Sequence, residues 1–338
     1  MKLSKKALTL ILALVIAVGA LTVGLFAASN SDRATVKLAA DKTEVAPGGT
    51  VTFTVKITTD FYASTVGIPV YYDASKFTLS SASALIDGAV TVDSSSSEYT
   101  RLFANSGLSQ EKYGAVGFVY VARKDAALSK YSDTAVLRFA LTAKADVSGS
   151  SYVFCNPKSL KKSASPEGML YFGKNSSGTA VTDSLAEVVE NVTLSGTTVS
   201  VNISATAPYI SKGDSVEIDE INRLLSIVPS SPSVGSLSGY FTVKNGSFLS
   251  SGNGTGDTVT VKDGKGAVYS EYTLIVKGDV NGDGQCTIED YSAVKLNIAY
   301  GTEPDGNAYF SQSADFNSDT AVDAFDMFYI DKTMNGIN

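Results

Sequence analysis

Two acidic twelve-residue segments stand 36 positions apart near the C-terminus and repeat one pattern: DVNGDGQCTIED, from Asp279 to Asp290, and DFNSDTAVDAFD, from Asp315 to Asp326. Each places Asp, Asn and Asp at loop positions 1, 3 and 5, with a further Asp at position 12. Short oxygen-bearing side chains at alternate positions converge on one hard cation, position 7 adds a backbone carbonyl, and position 12 closes the shell, which is what a calcium loop requires. Asp-Gly and Asn-Gly also make ordinary polar turns, but a duplicated match, followed twice by a helical pattern in the same register, exceeds turn chemistry. Two Ca2+ sites are expected. The ligands of the first are Asp279, Asn281, Asp283, Asp290 and the carbonyl of Gln285; those of the second are Asp315, Asn317, Asp319, Asp326 and the carbonyl of Ala321. Asp323, at position 9, is a candidate contributor through water.

The segments after the loops read as helices. Tyr291, Val294 and Ile298 recur at i, i+3 and i+7, and the same offsets after the second loop give Met327, Ile330 and Met334. Two such small units bury their apolar stripes by packing face to face. What precedes each loop does not read as helix: YTLIVKG is strand-like and GTEPDGNAYFSQSA is mixed. The loops differ at position 6, Gly284 against Thr320, where a sharp turn is needed and a β-branched residue suits φ > 0 poorly. The second site is therefore expected to be the weaker.

GDVNGDGQCTIEDYSAVKLNIAYG followed by ADFNSDTAVDAFDMFYIDKTMNG resembles a dockerin, the plug module of cellulosomes, over Gly278 to Gly336. The resemblance implies two calcium ions and binding to a cohesin domain on a scaffold protein. It also implies that partner selection falls on Ile288, Glu289, Lys295 and Leu296 in the first repeat, and on Ala324, Phe325, Asp331 and Lys332 in the second. Because these selectors differ between repeats, one binding orientation is expected.

Composition narrows the chemistry. The chain has 338 residues, no His, no Trp and a net charge of −7. Without His, imidazole acid–base chemistry, Ser-His-Asp and Cys-His catalysis and His-ligated zinc are excluded. The acidic balance excludes a phosphate-neutralising surface, so nucleic acid is not an expected partner. Cys155 and Cys286 fall in different predicted domains, so no disulfide is expected between them. At loop position 8, Cys286 reads as a small buried hydrophobe.

Lys2, Lys5 and Lys6 precede an apolar run from Ala7 to Ala28, which reads as a cleaved signal peptide over residues 1–29, with an uncleaved anchor as the alternative. Either way a secreted, extracellular chain is expected, cell-surface associated through a partner or through that segment.

From Asp32 to Ile203 the stretches ATVKLAA, TVTFTVKIT, STVGIPVYY, GAVGFVYVAR, TAVLRFALTAKA and NVTLSGTTVSVNI are strand-like, punctuated by turn residues such as Pro47-Gly48-Gly49 and Asp73. The fold class expected is mostly β: a jelly-roll or Greek-key β-sandwich over 30–203, a small β-rich module over 209–277 and an all-α dockerin over 278–338. The opening DKTEVAPGGTV, with VGIPVYYDASKF, YGAVGFVYVA and TAVLRFALTAKA, resembles a cohesin or the carbohydrate-binding modules that share its sandwich. The 209–277 stretch resembles small β-rich modules that precede dockerins. Its hairpin turns at Asp263-Gly264 and runs into the first loop without a linker.

No motif places a catalytic pair. Asp73, Glu98, Glu111, Asp125 and Glu167 are the carboxylates outside the loops that a glycosidase would draw on. Tyr71, Tyr72, Tyr99, Tyr113, Tyr120, Tyr131 and Tyr171 are candidate stacking surfaces for sugar and equally ordinary strand residues. The function expected is a non-catalytic, cellulosome-type adaptor in extracellular polysaccharide degradation. Its dockerin meets a cohesin, while the sandwich receives a dockerin-bearing protein. The alternatives are a dockerin-borne carbohydrate-binding module, with polysaccharide as partner, and a small glycoside hydrolase.

Overall fold

A computed structural model describes residues 32–122, 130–161, 169–174, 187–189, 191–303 and 308–337. The expected signal segment lies outside them, as do Asp125 and Glu167. The chain divides into two compact units between Ser204 and Ala205.

The first unit is a β-sandwich. One sheet orders the strands Val192–Ser195, Ala34–Ala40, Thr50–Thr59, Thr134–Ala143 and Phe77–Ala84. The other runs Glu187–Val188, Tyr171–Lys174, Ala63–Asp73, Gly149–Phe154, Thr198–Ile203 and Glu44–Val45, with Tyr113–Val121 paired along Ala63–Asp73 and Val90–Val92 beyond it. Period-2 alternation sets the core: Val51, Phe53, Val55 and Ile57 point inward from one strand. Phe53 pairs across the ladder with Phe139, and the rings stack at 5.1 Å. Outward on the same strands lie Thr50, Thr54, Lys56, Arg138 and Thr142, a polar face.

Two features depart from the reading of the sequence. NVTLSGTTVSVNI is two strands rather than one: Gly196, at φ 61°, turns the chain so that Val192–Ser195 joins the first sheet and Thr198–Ile203 the second. The stretch from Ser80 to Lys112, without a counterpart in the resembled families, contributes Val92, Leu102 and Phe103 to a second apolar cluster with Tyr71, Ala115 and Val119. Tyr71 and Val119 lie on the face of the second sheet turned away from the main core. The chain itself covers that face along Ala63–Asp73 and Tyr113–Val121, while Tyr152, Thr198 and Ser200 are exposed on the neighbouring strands.

The second unit carries a five-stranded sheet ordered Val216–Asp219, Leu224–Ile227, Val268–Val276, Thr258–Asp263 and Gly246–Ser250, and a separate pair, Tyr209–Lys212 with Phe241–Lys244. Leu225, Ile227, Val259, Val261, Leu274 and Val276 form its core. The stretches expected as a β-rich module and a dockerin lie within this one unit. Three helices follow the sheet: α1 (Ile288–Tyr300), α2 (Phe310–Ala314) and α3 (Ala324–Met334). The short α2 corrects the expectation of non-helical chain before the second loop; buried Phe310 anchors it against Ala314 and Phe316. No helix among the described residues is long and apolar enough to cross a membrane.

Expressed alone, residues 32–203 should give an all-β circular dichroism spectrum and unfold cooperatively. In that fragment Phe139→Ala should cost about 3–5 kcal/mol in urea titrations, against within about 0.5 kcal/mol for Thr193→Ala on the exposed face.

Candidate metal centre

Both acidic segments fold as loops that lead directly into a helix, and their hydrogen bonds repeat. In the first, Asp290 Oδ1 accepts the backbone N–H groups of Val280 (3.0 Å) and Asn281 (3.2 Å), while Oδ2 accepts that of Thr287 (2.8 Å). In the second, Asp326 Oδ1 accepts from Phe316 (2.7 Å) and Asn317 (3.2 Å), and Oδ2 from Asp323 (2.8 Å). Position 12 thus closes the loop and caps the helix at once. Thr287 begins α1 and Asp323 begins α3 as N-caps, each in a capping box with the position-12 carboxylate at N3. Asp323, expected as a contributor through water, holds the Phe325 amide at 2.7 Å.

Positions 3 and 5 repeat as well. The Asn281 side-chain oxygen accepts from the Asp283 amide and that of Asn317 from the Asp319 amide, both at 3.0 Å. Asp283 and Asp319 in turn accept from the amides of Gln285 and Ala321. Asp279, Asp290 and Asp326 have no exposed surface. Burial pushes the Asp279 carboxyl above its usual range, opposed by the amides of Thr255, Gly284 and Gly282.

The carboxylates are turned onto backbone amides, and among the described residues no three Asp, Glu or Cys side chains stand close enough to hold a metal ion. The donor set nevertheless fits calcium. Its atoms are hard oxygens, and the two loops turn through φ > 0 at Gly282 and Gly284, and at Ser318 and Thr320. Among the described residues no ion pair reaches the buried Asp279 and Asp290, whose charge a bound cation would offset. With the ion bound, Asp279, Asn281, Asp283 and Asp290, and their second-loop equivalents, would supply the side-chain oxygens, with the carbonyls of Gln285 and Ala321.

Thr320 stands at φ 74°, as its loop position demands. Position 4 was missed in the sequence: Ser318 stands at φ 61° where the first loop has Gly282 at φ 81°. The signal was Gly282, the glycine at position 4 of the first loop.

Val280, Cys286, Val294, Phe310, Ala314, Phe316 and Ile330 form the core beneath the loops, with Tyr291, Met327 and Met334 packed against it. Ile298, expected on the same stripe, is 41% exposed and lies outside the cluster. Cys286 and Cys155 are free and buried, and both thiols are pushed up to about 12, first by burial. Neither is a reactive thiol. Lys277, also missed, is buried at the end of the last strand and donates through Nζ to the carbonyls of Gln312 (3.0 Å) and Asp315. It ties the approach to one loop to the start of the other.

The selector positions are mostly open: Ile288 is 60% exposed, Leu296 52% and Phe325 68%, and Glu289, Lys295, Ala324 and Asp331 are exposed too. Lys332 is half-buried, over the Phe328 ring. Of the carboxylates outside the loops, Asp73 caps its own turn through Ser75, Glu98 pairs with Arg101 at 2.7 Å, and Glu111 is exposed.

Lys277→Ala should leave the carbonyls of Gln312 and Asp315 without their donor and destabilise residues 205–338 by about 1–3 kcal/mol in denaturant titrations.

Residues 277–335 match the family model of the dockerin type I domain. No curated protein matches the chain significantly. Solved structures similar to it include the third cohesin of ScaC with the ScaB dockerin from Acetivibrio cellulolyticus, at 13% identity over 51% of this chain and 98% of that one, TM-score 0.34. Another is CaCohA2 from Clostridium acetobutylicum, at 16% over 51% and 93%, TM-score 0.32. The Coh-OlpC-Doc435 complex from Clostridium thermocellum matches at 10% over 54% and 100%, TM-score 0.34.

Proposed function

We propose that this chain, whose residues 277–335 are a type I dockerin, is a non-catalytic adaptor of an extracellular polysaccharide-degrading assembly. The dockerin docks onto the cohesin of a scaffold protein in a calcium-dependent way, and the sandwich of residues 32–203 is a cohesin-like receptor for a dockerin-bearing partner. The observation that carries the reading is the pair of calcium loops leading into helices whose selector positions face outward.

The carbohydrate-binding alternative needs exposed coplanar rings. Of the tyrosines named as stacking candidates, Tyr71, Tyr72, Tyr120 and Tyr131 are buried, and Tyr99, Tyr113 and Tyr171 are half-buried. In the first unit the exposed large aromatics among the described residues are Tyr62 and Tyr152. Leu102 and Phe103 cover the second sheet outside along Ala63–Asp73 and Tyr113–Val121, while its strands Gly149–Phe154 and Thr198–Ile203 expose Tyr152, Thr198 and Ser200; the first sheet offers a polar, threonine-rich face.

The two docking faces differ in chemistry. The α1 face carries the aliphatic Ile288 and Leu296 with Tyr300 at its end, and the α3 face carries three aromatics, Phe325, Phe328 and Tyr329. A pocket fitted to one overpacks or under-fills with the other, so docking uses one orientation. The second calcium site is the weaker, because two residues other than glycine hold left-handed backbone there.

Two outcomes test these statements. A purified type I cohesin should bind the full chain in calcium and release it in EDTA, with only one of Ile288→Ala and Phe325→Ala lowering affinity about tenfold or more. The same preparation should release no reducing sugar from cellulose or starch. Chelator-resistant binding, equal losses in both variants, or hydrolysis would each remove a part of the reading. Separately, Thr320→Gly should tighten the second site about five- to thirty-fold by calorimetry. An unchanged affinity would refute the strain argument.

A further inference from the structure

The first calcium loop does not stand alone. The Thr255 backbone N–H, from the segment between the strands Gly246–Ser250 and Thr258–Asp263, donates to Asp279 Oδ2 at 2.8 Å in a fully buried setting. Asp279 therefore accepts four backbone amides: those of Gly282, Asp283 and Gly284 from its own loop, and one from outside it. The approach is backbone on backbone. A Cβ added at Gly254 would lie 2.2 Å from the Gly282 carbonyl oxygen and 2.9 Å from the Gly284 nitrogen, so only glycine fits. On its other flank the loop pairs with residues 232–234. Val234 N–H donates to the Gly284 carbonyl (3.3 Å) and Cys286 N–H to the Pro232 carbonyl (2.7 Å).

The outside segment is itself fixed. Thr255 Oγ1 accepts from the Val276 amide at 3.0 Å and donates to the Val276 carbonyl at 3.2 Å. Asn253 Nδ2 donates to the Gly235 carbonyl at 2.7 Å, joining the two flanking segments. Among the described residues the second loop has no such surround: the carboxylate of Asp315 accepts amides from its own loop, Asp319 at 3.1 Å and Thr320 at 3.0 Å, and positions 3 to 6 are exposed.

We propose that the β-rich module is a positioning element for the first calcium site: residues 253–255 hold Asp279 in the orientation the ion needs, so that calcium binding at loop one and the order of the module are coupled. The coupling is reciprocal. A module that pre-sets Asp279 raises calcium affinity, and bound calcium stabilises the module by the same factor. This rests on the reading of loop one as a calcium site.

The test uses the full chain and CaCl2. In an Asp319→Ala background, where site one titrates alone, Gly254→Ala should weaken calcium binding at least tenfold by calorimetry. In an Asp283→Ala background, where site two titrates alone, the same substitution should change affinity less than twofold. A general loss of fold would not produce that split. Hydrogen exchange of the unsubstituted chain supplies an arm free of variants: the Thr255 amide should exchange at least tenfold more slowly in calcium than in EDTA. If Gly254→Ala fails to fold, Thr255→Val, which keeps the shape and removes the two Oγ1 bonds, takes its place with the same expected split. Unchanged affinity at site one, equal weakening of both sites, or calcium-independent exchange at Thr255 overturns the coupling. No heat of calcium binding in the unsubstituted chain overturns the underlying site as well.

Discussion

Asp290 and Asp326 each do two jobs with one carboxylate, and the C-terminal repeats depend on that. One oxygen gathers the amides at loop positions 2 and 3; the other caps the helix that starts three residues earlier. Both carboxylates are fully buried. A buried charge with no ionic partner is costly to keep, and each is held here by backbone dipoles and by the N-terminus of the helix it begins. Loop closure and helix start are in this way one event. That explains how units too short to order themselves keep the same geometry twice.

The symmetry of that network stops at the first layer. Loop one has glycine at both left-handed positions and the β-rich module against its outer side; loop two has Ser318 and Thr320 there and is open to solvent. Lys277 reaches across from the approach to loop one and binds the Asp315 carbonyl, so the two loops are joined through backbone rather than through their carboxylates. The last strand, Val268–Val276, ends close before Asp279.

The parts legible in the sequence are those governed by local spacing. Alternation found the strands Thr50–Thr59 and Thr134–Ala143, and β-branched and aromatic enrichment found Ala63–Asp73, which is buried on both faces. The duplicated acidic pattern located both loops. Non-local packing was not legible. Nothing in NVTLSGTTVSVNI says that its two halves belong to different sheets; Gly196 marks the turn but not where the chain goes. Leu102 and Phe103 lie in a stretch without alternation, so their place over the second sheet followed only from tertiary contact. Gly254 and Thr255 read as part of a polar glycine-rich turn, and their role against Gly282 and Asp279 depends on a backbone approach that no side-chain pattern records.

The same limit applies to what the sandwich can recognise. Sequence alone leaves seven tyrosines as candidate sugar platforms, because alternation does not say which side of a doubly covered sheet is wet. With the extra layer in place, Tyr71 points at the Leu102 carbonyl and at Ser159, and its hydroxyl is pushed up to about 12, chiefly by burial. Tyr71 is a packing residue with a satisfied hydroxyl. Outward on the first sheet is a row of threonines with Lys56 and Arg138 among them, and on the second sheet Tyr152, Thr198 and Ser200 are exposed. The first-sheet surface is short of stacking area and rich in hydrogen-bond donors and acceptors.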